Sequence, residues 1–264
     1  MFLIIGRRLL LLAAVSATML LTSPAQASRV TPMIVDIEPT GRGSVARIEL
    51  TNDADFDLAY EVQIMRGEIS PQGELSLTPA EEEFIVFPPQ AMVEANSQQV
   101  FRIQYVGEQA LETSQIYYLS IKQIPVEFEP GQNQVQVVIN YNVLVNVVPD
   151  GTEPVATIRR AEYVERQVSM EGVAQDDIPA VIPIEKGIEV ELANDGSRYF
   201  YAGRSNWAIS ARTTEGEDFT LDFDGEQISR IIGTGVVGPD RSRIFFLPTE
   251  KALVPGTLGV TVTP

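Results

Sequence analysis

Carboxylates are the side chains that could carry out chemistry in this chain, because the sequence contains no cysteine and no histidine. Without those two residue types, disulfide bonds, zinc sites of the His/Cys kind and Ser–His or Cys–His catalysis are excluded. An enzyme built on this sequence would need paired carboxylates or a Ser–Lys arrangement. The sequence has no recognisable constellation of either kind, so we predict that the protein is not an enzyme.

Three acidic clusters are the candidates for a metal site: residues 53–57, 81–83 and 222–226. The adjacent carboxylates of 81–83 cannot converge on one ion, and neither of the other clusters has the ligand spacing of an EF-hand loop. We interpret 81–83 as a solvated loop and the other two clusters as turns between strands. No metal site and no cofactor are therefore predicted.

Residues 1–27 have the pattern of an N-terminal export signal. Arg7 and Arg8 precede an apolar run over residues 9–21, and the small-residue cleavage pattern Ala-Gln-Ala follows at 25–27. The apolar run is shorter than the span of about 20 residues that a membrane helix needs, which disfavours an uncleaved anchor. We therefore expect a cleaved signal peptide and a periplasmic protein.

The net charge argues against a nucleic-acid partner. The chain has 19 Lys and Arg against 36 Asp and Glu, a formal net charge of −17. Loss of the predicted signal removes two arginines and no acid, which leaves 17 basic and 36 acidic side chains and a net charge of −19. Because binding to phosphates needs a basic face, this charge predicts that nucleic acid is not a partner.

The segment over residues 134–149, QVQVVINYNVLVNVVP, is predicted to form one long strand. Its odd positions are all apolar and its even positions are mostly polar, which is the alternation typical of a strand. A strand of this length far exceeds the usual 5–6 residues or so, and a long apolar edge can template pairing with another chain. We predict that pairing with another chain is its role. The alternative is that its odd residues face the core of their own domain.

Short alternating segments separated by turn residues predict an all-β fold. Seven strands in about 120 residues are the pattern of an Ig-like sandwich that lacks its disulfide. These strands are expected over residues 30–37, 44–51, 58–65, 84–87, 98–105, 116–124 and 134–149.

A Pro/Gly/Asp cluster at residues 149–154 marks a domain boundary. We therefore predict a signal peptide over 1–27, an Ig-like domain over 28–149 and a second β-sandwich over 150–264. Trp207 is expected in the core of the second sandwich. The weaker strands of that half are expected over residues 156–164, 187–192, 199–211, 219–223, 243–247 and 257–262.

Several segments, in their order and spacing, resemble the periplasmic pilus (PapD-like) chaperones. In the first half these are IELTN (48–52), FPPQAMVEANSQQVFRI (87–103), YYLSIKQIP (117–125) and the long strand that closes at Pro149. The second half adds VELANDGSRYFYAGRSNW (190–207), RIFFLP (243–248) and VPGTLGV (254–260). The resemblance implies two Ig-like domains set in an L, or boomerang, with subunits bound in the cleft between them.

The resemblance also implies a mechanism, in which the long strand is lent to an incomplete pilus subunit by donor-strand complementation. By position, Val135, Val137 and Ile139 would enter the subunit, with Tyr141 as a fourth. The partners would be pilus or fimbrial subunits and an outer-membrane usher, without ATP or any cofactor. Self-association of the free chaperone is left open.

The sequence departs from this family at the two basic positions that hold the subunit's C-terminal carboxylate. Ile34 and Leu144 stand there, and neither can pair with a carboxylate. Arg29, Lys122 and Arg102 are the candidate replacements, because each is an ion-pair donor. The alternative for each is an ordinary charge on a strand face.

One further function remains open from the sequence. A two-domain Ig-like surface or structural protein without a client would have the same fold, since sandwiches host many functions. In that case a charge at Ile139 should damage folding rather than binding.

Overall fold

A computed structural model describes residues 28–125, 138–168, 179 and 181–264. These residues form eighteen strands and one α-helix, so the all-β class predicted from the sequence is confirmed. The strands of the first half are β1 (Arg29–Thr31), β2 (Ile34–Ile37), β3 (Val45–Asn52), β4 (Leu58–Ile69), β5 (Leu75–Pro79), β6 (Phe84–Phe87), β7 (Gln90–Val93), β8 (Ser97–Tyr105), β9 (Gln115–Ile124) and β10 (Asn140–Val147).

The second half contains the remaining elements. Its strands are β11 (Ala156–Gln167), β12 (Ile184–Asn194), β13 (Phe200–Tyr201), β14 (Asn206–Arg212), β15 (Asp218–Phe223), β16 (Val236–Val237), β17 (Arg241–Pro248) and β18 (Gly259–Thr263), and its helix is α1 (Gly225–Ile232).

The first half is a sandwich of two sheets. One sheet has the strand order β1-β3-β8-β6, and the other has the order β2-β10-β9-β4-β5 with β7 also paired to β4. The prediction of a single strand over 30–37 is wrong. The strand is interrupted at Pro32 and Met33, where the chain passes from the sheet of β1 to the sheet of β2. Proline cannot donate to a ladder, which explains why the strand ends there.

Alternate residues of the sandwich strands fill its core. On β3 and β8 the side chains of Ile48, Leu50, Phe101 and Ile103 are fully buried, while the residues between them, Glu49 and Arg102, are half-buried and exposed. The opposing sheet supplies the fully buried side chains Tyr60, Ile64, Tyr117, Leu119, Ile121, Val143, Val145 and Val147. The alternation that predicted these strands therefore also identifies their inward face.

The second half packs its own core between the sheet β11-β12-β17 and the sheet β15-β14-β18. Trp207 is 1% exposed, as predicted, and its ring meets Phe245 edge to face with 5.9 Å between ring centroids. Its indole N–H donates to the backbone oxygen of Ala202 at 2.9 Å. The strand predicted over 199–211 is wrong, because the short 3-10 helix Ala202–Arg204 divides it into β13 and β14.

The acidic cluster at 222–226 is not a simple turn between strands. Asp224 caps the N-terminus of α1 and accepts the backbone N–H of Gln227 at 2.8 Å, while the Gln227 side chain accepts the N–H of Asp224 at 3.0 Å. This reciprocal pair is a capping box. The cluster therefore starts a helix that sequence alternation did not indicate.

The prediction of a solvated loop at 81–83 is wrong for Glu83. Its carboxylate accepts two hydrogen bonds from Nη2 of Arg66, at 2.9 and 2.7 Å, and one from the hydroxyl of Tyr117 at 2.6 Å. Arg66 also donates to that hydroxyl at 2.8 Å. Burial and the bond to Glu83 raise the pKa of Tyr117, so the phenol stays protonated and keeps donating.

Replacing Glu83 with Gln is expected to lower the free energy of unfolding by about 1–3 kcal/mol, because half-buried charge-assisted bonds are lost. The matched control is Glu81→Gln on the same exposed turn, which should stay within roughly 0.5 kcal/mol. Urea unfolding of both variants measures the difference. Equal midpoints for the two would contradict the stabilising role of the Glu83 bonds.

Candidate functional site

Strand β10 is the centre of the candidate site, because its two faces serve different parts of the molecule. Val143, Val145 and Val147 point into the first core and are fully buried. Leu144 and Val148 point the other way and pack with residues of the second sandwich. The alternative left open by the sequence therefore holds for the second half of the strand, whose odd residues face their own core.

The hydrogen bonds of β10 show which edge is open. Leu144 N donates to Met33 O at 3.0 Å and Val148 N donates to Ile37 O at 2.7 Å, so even residues direct their backbone groups towards β2. Odd residues form their backbone hydrogen bonds with β9 instead. For example, the carbonyl of Ile139 accepts the N–H of Gln123 at 3.3 Å. This alternation is a property of any strand between two neighbours.

The β2 edge is covered over only half of β10. The register starts with Ile34 opposite Leu144 and ends with Ile37 opposite Val147. The preceding residues of β10, Asn140–Val143, pair with β9 alone among the residues that the structure describes. The backbone groups of Asn140 and Asn142 therefore face an edge that no other described strand pairs, and both side chains are exposed.

The predicted subunit-contacting residues fall partly on this open stretch. Val135 and Val137 lie outside the described residues, while Ile139 and Tyr141 are half-buried on the same face as Val143. Tyr141 packs against the first core, and its hydroxyl donates to the backbone oxygen of Ser28. Burial raises the pKa of this phenol.

The three predicted carboxylate-binding residues lie apart from one another. Arg29 is exposed on β1, with its Nε 3.9 Å from Oδ2 of Asp53. Arg102 is exposed on the outer face of β8, and Lys122 on β9 donates to Oε1 of Gln63 at 3.3 Å. None of the three lines the cavities found between the described parts of the two sandwiches.

Ile34 and Leu144 do come together, as the resemblance implied for their positions. They are direct partners in the parallel pairing of β2 with β10. Ile34 lines a cavity of about 440 Å³ between the two sandwiches, which Tyr201 and Arg204 of the second sandwich also line. The cavity wall at the expected basic position 34 is therefore apolar, and Leu144 is buried in the hydrophobic cluster behind it.

A hydrogen-bonded network closes one side of this cavity. Asp36 accepts from the hydroxyl of Tyr199, from Nδ2 of Asn146 at 3.0 Å and from Nη2 of Arg198 at 3.2 Å. Asn146 also donates to the hydroxyl of Tyr201 at 3.1 Å. Burial and the bond to Asp36 raise the pKa of Tyr199. Asp36 thus accepts two of these three bonds from the second sandwich and forms an ion pair with Arg198.

Arg204 is the cation of the cavity that remains available. Its guanidinium lies 4.7 Å from the centroid of the Tyr201 ring, and no carboxylate of the described residues comes within 4.0 Å of it. Arg198, in contrast, forms an ion pair with Asp36. Sequence reasoning missed Arg204 because it searched the first domain, although the resembling segment 190–207 contains this arginine.

Residues 28–125, 138–168, 179 and 181–264 contain neither a candidate membrane span nor a candidate metal centre. No helix there has the length and apolar character required to cross a membrane. No group of three or more acidic side chains there is arranged to hold a metal ion.

Residues 30–153 match the PapD N-terminal domain family of pili and flagellar-assembly chaperones. No protein of curated function matches the sequence.

Two solved structures share the fold. The class 5 fimbriae chaperone CfaA is 10% identical, with a TM-score of 0.51 over 90% of this chain and 99% of that one. A chaperone–tip adhesin complex from CFA/I fimbriae biogenesis is 9% identical, with a TM-score of 0.50 over 90% of this chain and 98% of that one. The resemblance noted in the sequence is confirmed: residues 30–153, the first sandwich, belong to the pili and flagellar-assembly chaperone family, and the whole chain shares the fold of these chaperone structures.

Proposed function

We propose that this protein is a periplasmic chaperone that binds pilus or fimbrial subunits by donor-strand complementation and delivers them to an outer-membrane usher. The observation that carries the proposal is the edge of β10 at Asn140 and Asn142, which no second described strand pairs. It continues into the pair of Leu144 with Ile34, and Ile34 lines a cavity between the two sandwiches. An exposed edge is a template for one more strand. The family of the first sandwich and the N-terminal export pattern support the periplasmic location.

The free energy of binding would come from two sources. The open edge offers main-chain hydrogen bonds, and the odd face offers Ile139 together with Val135 and Val137, which lie outside the described residues. Each fully buried aliphatic side chain stabilises a complex by about 1.5–3 kcal/mol before ordering costs. Tyr141 would contribute less, because its ring already packs on the first core and its hydroxyl is bonded to Ser28.

The subunit's C-terminal carboxylate would be held by Arg204 in this protein. Its guanidinium lies in the cavity that Ile34 lines, it is oriented by the Tyr201 ring, and it has no carboxylate partner among the described residues. A guanidinium binds a carboxylate through two parallel N–H bonds. Arg29, Lys122 and Arg102 remain the alternatives from the sequence, and Lys122 is the one opposite the open stretch, across from Asn140.

Changing Ile139 to Asp should reduce recovery of a co-expressed subunit by more than about tenfold, because a charge would enter the apolar contact. Val138→Asp is the matched control, since Val138 is the exposed neighbour on the opposite face and its variant should still bind. The measurement is co-purification from the periplasm with subunits encoded beside this gene, with folding checked by circular dichroism. Equal recovery with both folded variants would refute strand donation, and a misfolded Ile139→Asp protein would favour a surface protein without a client.

Changing Asn142 to Pro removes one N–H from the open edge while the odd residues keep their bonds to β9. Proline is tolerated on edge strands, so the variant should fold but bind the subunit several-fold more weakly. Asn142→Ala removes the side chain and keeps the N–H, and it should bind like the wild type. Competition between labelled and unlabelled chaperone for one subunit measures the ratio. Equal affinities for the two variants would exclude main-chain pairing at this position.

Changing Arg204 to Gln should weaken subunit binding by about 10–100-fold, the effect of losing charge-assisted hydrogen bonds of about 1.5–3 kcal/mol. The effect should vanish with a subunit whose C-terminus is extended by two residues, because the carboxylate is then displaced. Arg29→Gln, Lys122→Gln and Arg102→Gln are the comparison set. If one of these variants, and not Arg204→Gln, loses affinity only for the subunit with the native C-terminus, that residue binds the carboxylate instead.

A further inference from the structure

The turn between β4 and β5, residues 70–74, belongs to the first sandwich but contacts β17 of the second. The backbone N–H of Ile244 donates to the carbonyl of Pro71 at 2.7 Å. Nη2 of Arg243 lies against Gly73, 2.8 Å from the position that a Cβ on this glycine would take. The β4–β5 turn therefore reaches across the boundary between the two sandwiches.

The hydrogen bond of Ile244 uses the free edge of β17. Among the described residues β17 pairs with β12 alone, and just beyond the strand the N–H of Thr249 donates to the carbonyl of Lys186 at 3.0 Å. Because the backbone groups of a strand alternate in direction, the odd residues of β17 face β12 and the even residues face away from it. Pro71 thus supplies an acceptor to an exposed sheet edge, as an added strand would.

The β4–β5 turn has a fixed shape. The N–H of Ser70 donates to the carbonyl of Glu74 at 2.9 Å, and the N–H of Gly73 donates to the carbonyl of Ser70 at 2.9 Å. Oγ of Ser70 accepts the N–H of Glu74 at 3.1 Å. Gly73 has a φ of 97°, which glycine adopts without steric cost. Glycine at this position therefore permits both the turn and its close approach to Arg243.

Side chains beside the turn add to this contact. Nη2 of Arg241 lies 3.8 Å from Oε1 of Glu68, an exposed pair that contributes little. Arg243 is held more firmly, because its Nη1 donates to the backbone oxygen of Val236 at 3.0 Å. Its guanidinium carbon also lies 5.4 Å from the ring centroid of Phe245. The second sandwich thus fixes Arg243 in the position where the turn packs against it.

The other directional contacts between the sandwiches lie at a different segment. Among the described residues, the remaining hydrogen bonds that join the two halves all involve residues 197–201. They are the Ser114 N–H to Ser197 O at 2.9 Å, the Tyr199 N–H to Ser114 Oγ at 2.7 Å, Arg198 Nη2 and the Tyr199 hydroxyl to Asp36, and Asn146 Nδ2 to the Tyr201 hydroxyl. Apolar packing across the boundary is not directional. Two bodies held at one segment can rotate about it, and a contact at a second place removes that freedom.

We propose that the β4–β5 turn is a brace, a second point of attachment that sets the placement of the second sandwich relative to the first. The brace itself does not depend on the proposed function. Its effect on subunit binding does, because the open edge of β10 and Arg204 lie in different sandwiches. The turn belongs to neither of these binding elements, so it would act on binding through their relative placement alone.

The test removes the brace in two ways. Replacing residues 70–74 with Asn-Gly keeps the hairpin, because Ile69 and Leu75 are directly opposite each other and a two-residue turn can join them. Ile244→Pro removes only the N–H that Pro71 accepts, and proline is tolerated on an edge strand. Ser242→Pro is the matched control, since Ser242 lies on the same edge and has no backbone bond to the described part of the first sandwich.

Distances between the sandwiches are the measurement. The chain has no cysteine, so Gln98→Cys and Thr220→Cys, both at exposed positions, introduce one spin label into each sandwich. Electron–electron double resonance should give one narrow distance distribution for the intact turn and for Ser242→Pro. The distribution should shift and broaden for the Asn-Gly turn and for Ile244→Pro. If the Asn-Gly variant fails to fold, the two proline variants decide. Equal distributions in all folded variants would overturn the proposal.

Subunit affinity is the second readout, and it rests on the proposed function. The Asn-Gly turn should weaken binding of a subunit, and the loss should be smaller in an Arg204→Gln background, because residues that act through one contact are not additive. A loss of equal size in both backgrounds would overturn the effect of the brace on Arg204. An Arg204→Gln protein that binds like the wild type would instead refute the role of Arg204 in the proposed function, and the distance distributions would still test the brace.

Discussion

The arrangement of the site depends on the unequal pairing of β10. The strand bonds β9 along its whole length, but on its other edge β2 pairs with only Leu144–Val147. The second half is therefore fixed between two neighbours, and its odd side chains are locked in the first core. This fixed half keeps Asn140–Val143 in strand geometry even though one edge is open. A strand that is already ordered loses little conformational entropy when it pairs, which is the advantage of preorganisation.

Strand β10 also forms part of the interface between the two sandwiches. Leu144 and Val148 pack with Tyr199 and Val236 of the second sandwich, and Asn146 connects Asp36 to Tyr201. Different residues of one strand therefore form the first core, the contact with the second sandwich and the open edge. A change at Asn146 would disturb the contact between the sandwiches as well as the strand, because Asp36 and the Tyr201 hydroxyl would each lose a hydrogen-bond donor. Asn140 and Asn142 are exposed and contribute to the edge alone, so the edge can be tested without loss of the fold.

Strand alternation predicted most of the fold and little of the site. The inward residues of β3, β8 and β9 and the burial of Trp207 follow from local pattern, because the pleat fixes side-chain direction. The pattern of 134–149 could not reveal which edge of the strand is covered, since that depends on where β2 starts after Pro32. Nor could it pair Glu83 with Arg66, or place Arg204 beside Ile34. Those contacts join residues that only the packing of sheets and domains brings together.

Arg204 and the open edge of β10 belong to different sandwiches, so a ligand that bound both would contact both halves of the chain. With Ile34 and Leu144 apolar, the cation of the cavity comes from the second sandwich while the open edge belongs to the first. A ligand that used both would fit only one relative placement of the two halves, which the Leu144 cluster and the Asp36–Arg198 pair help to set.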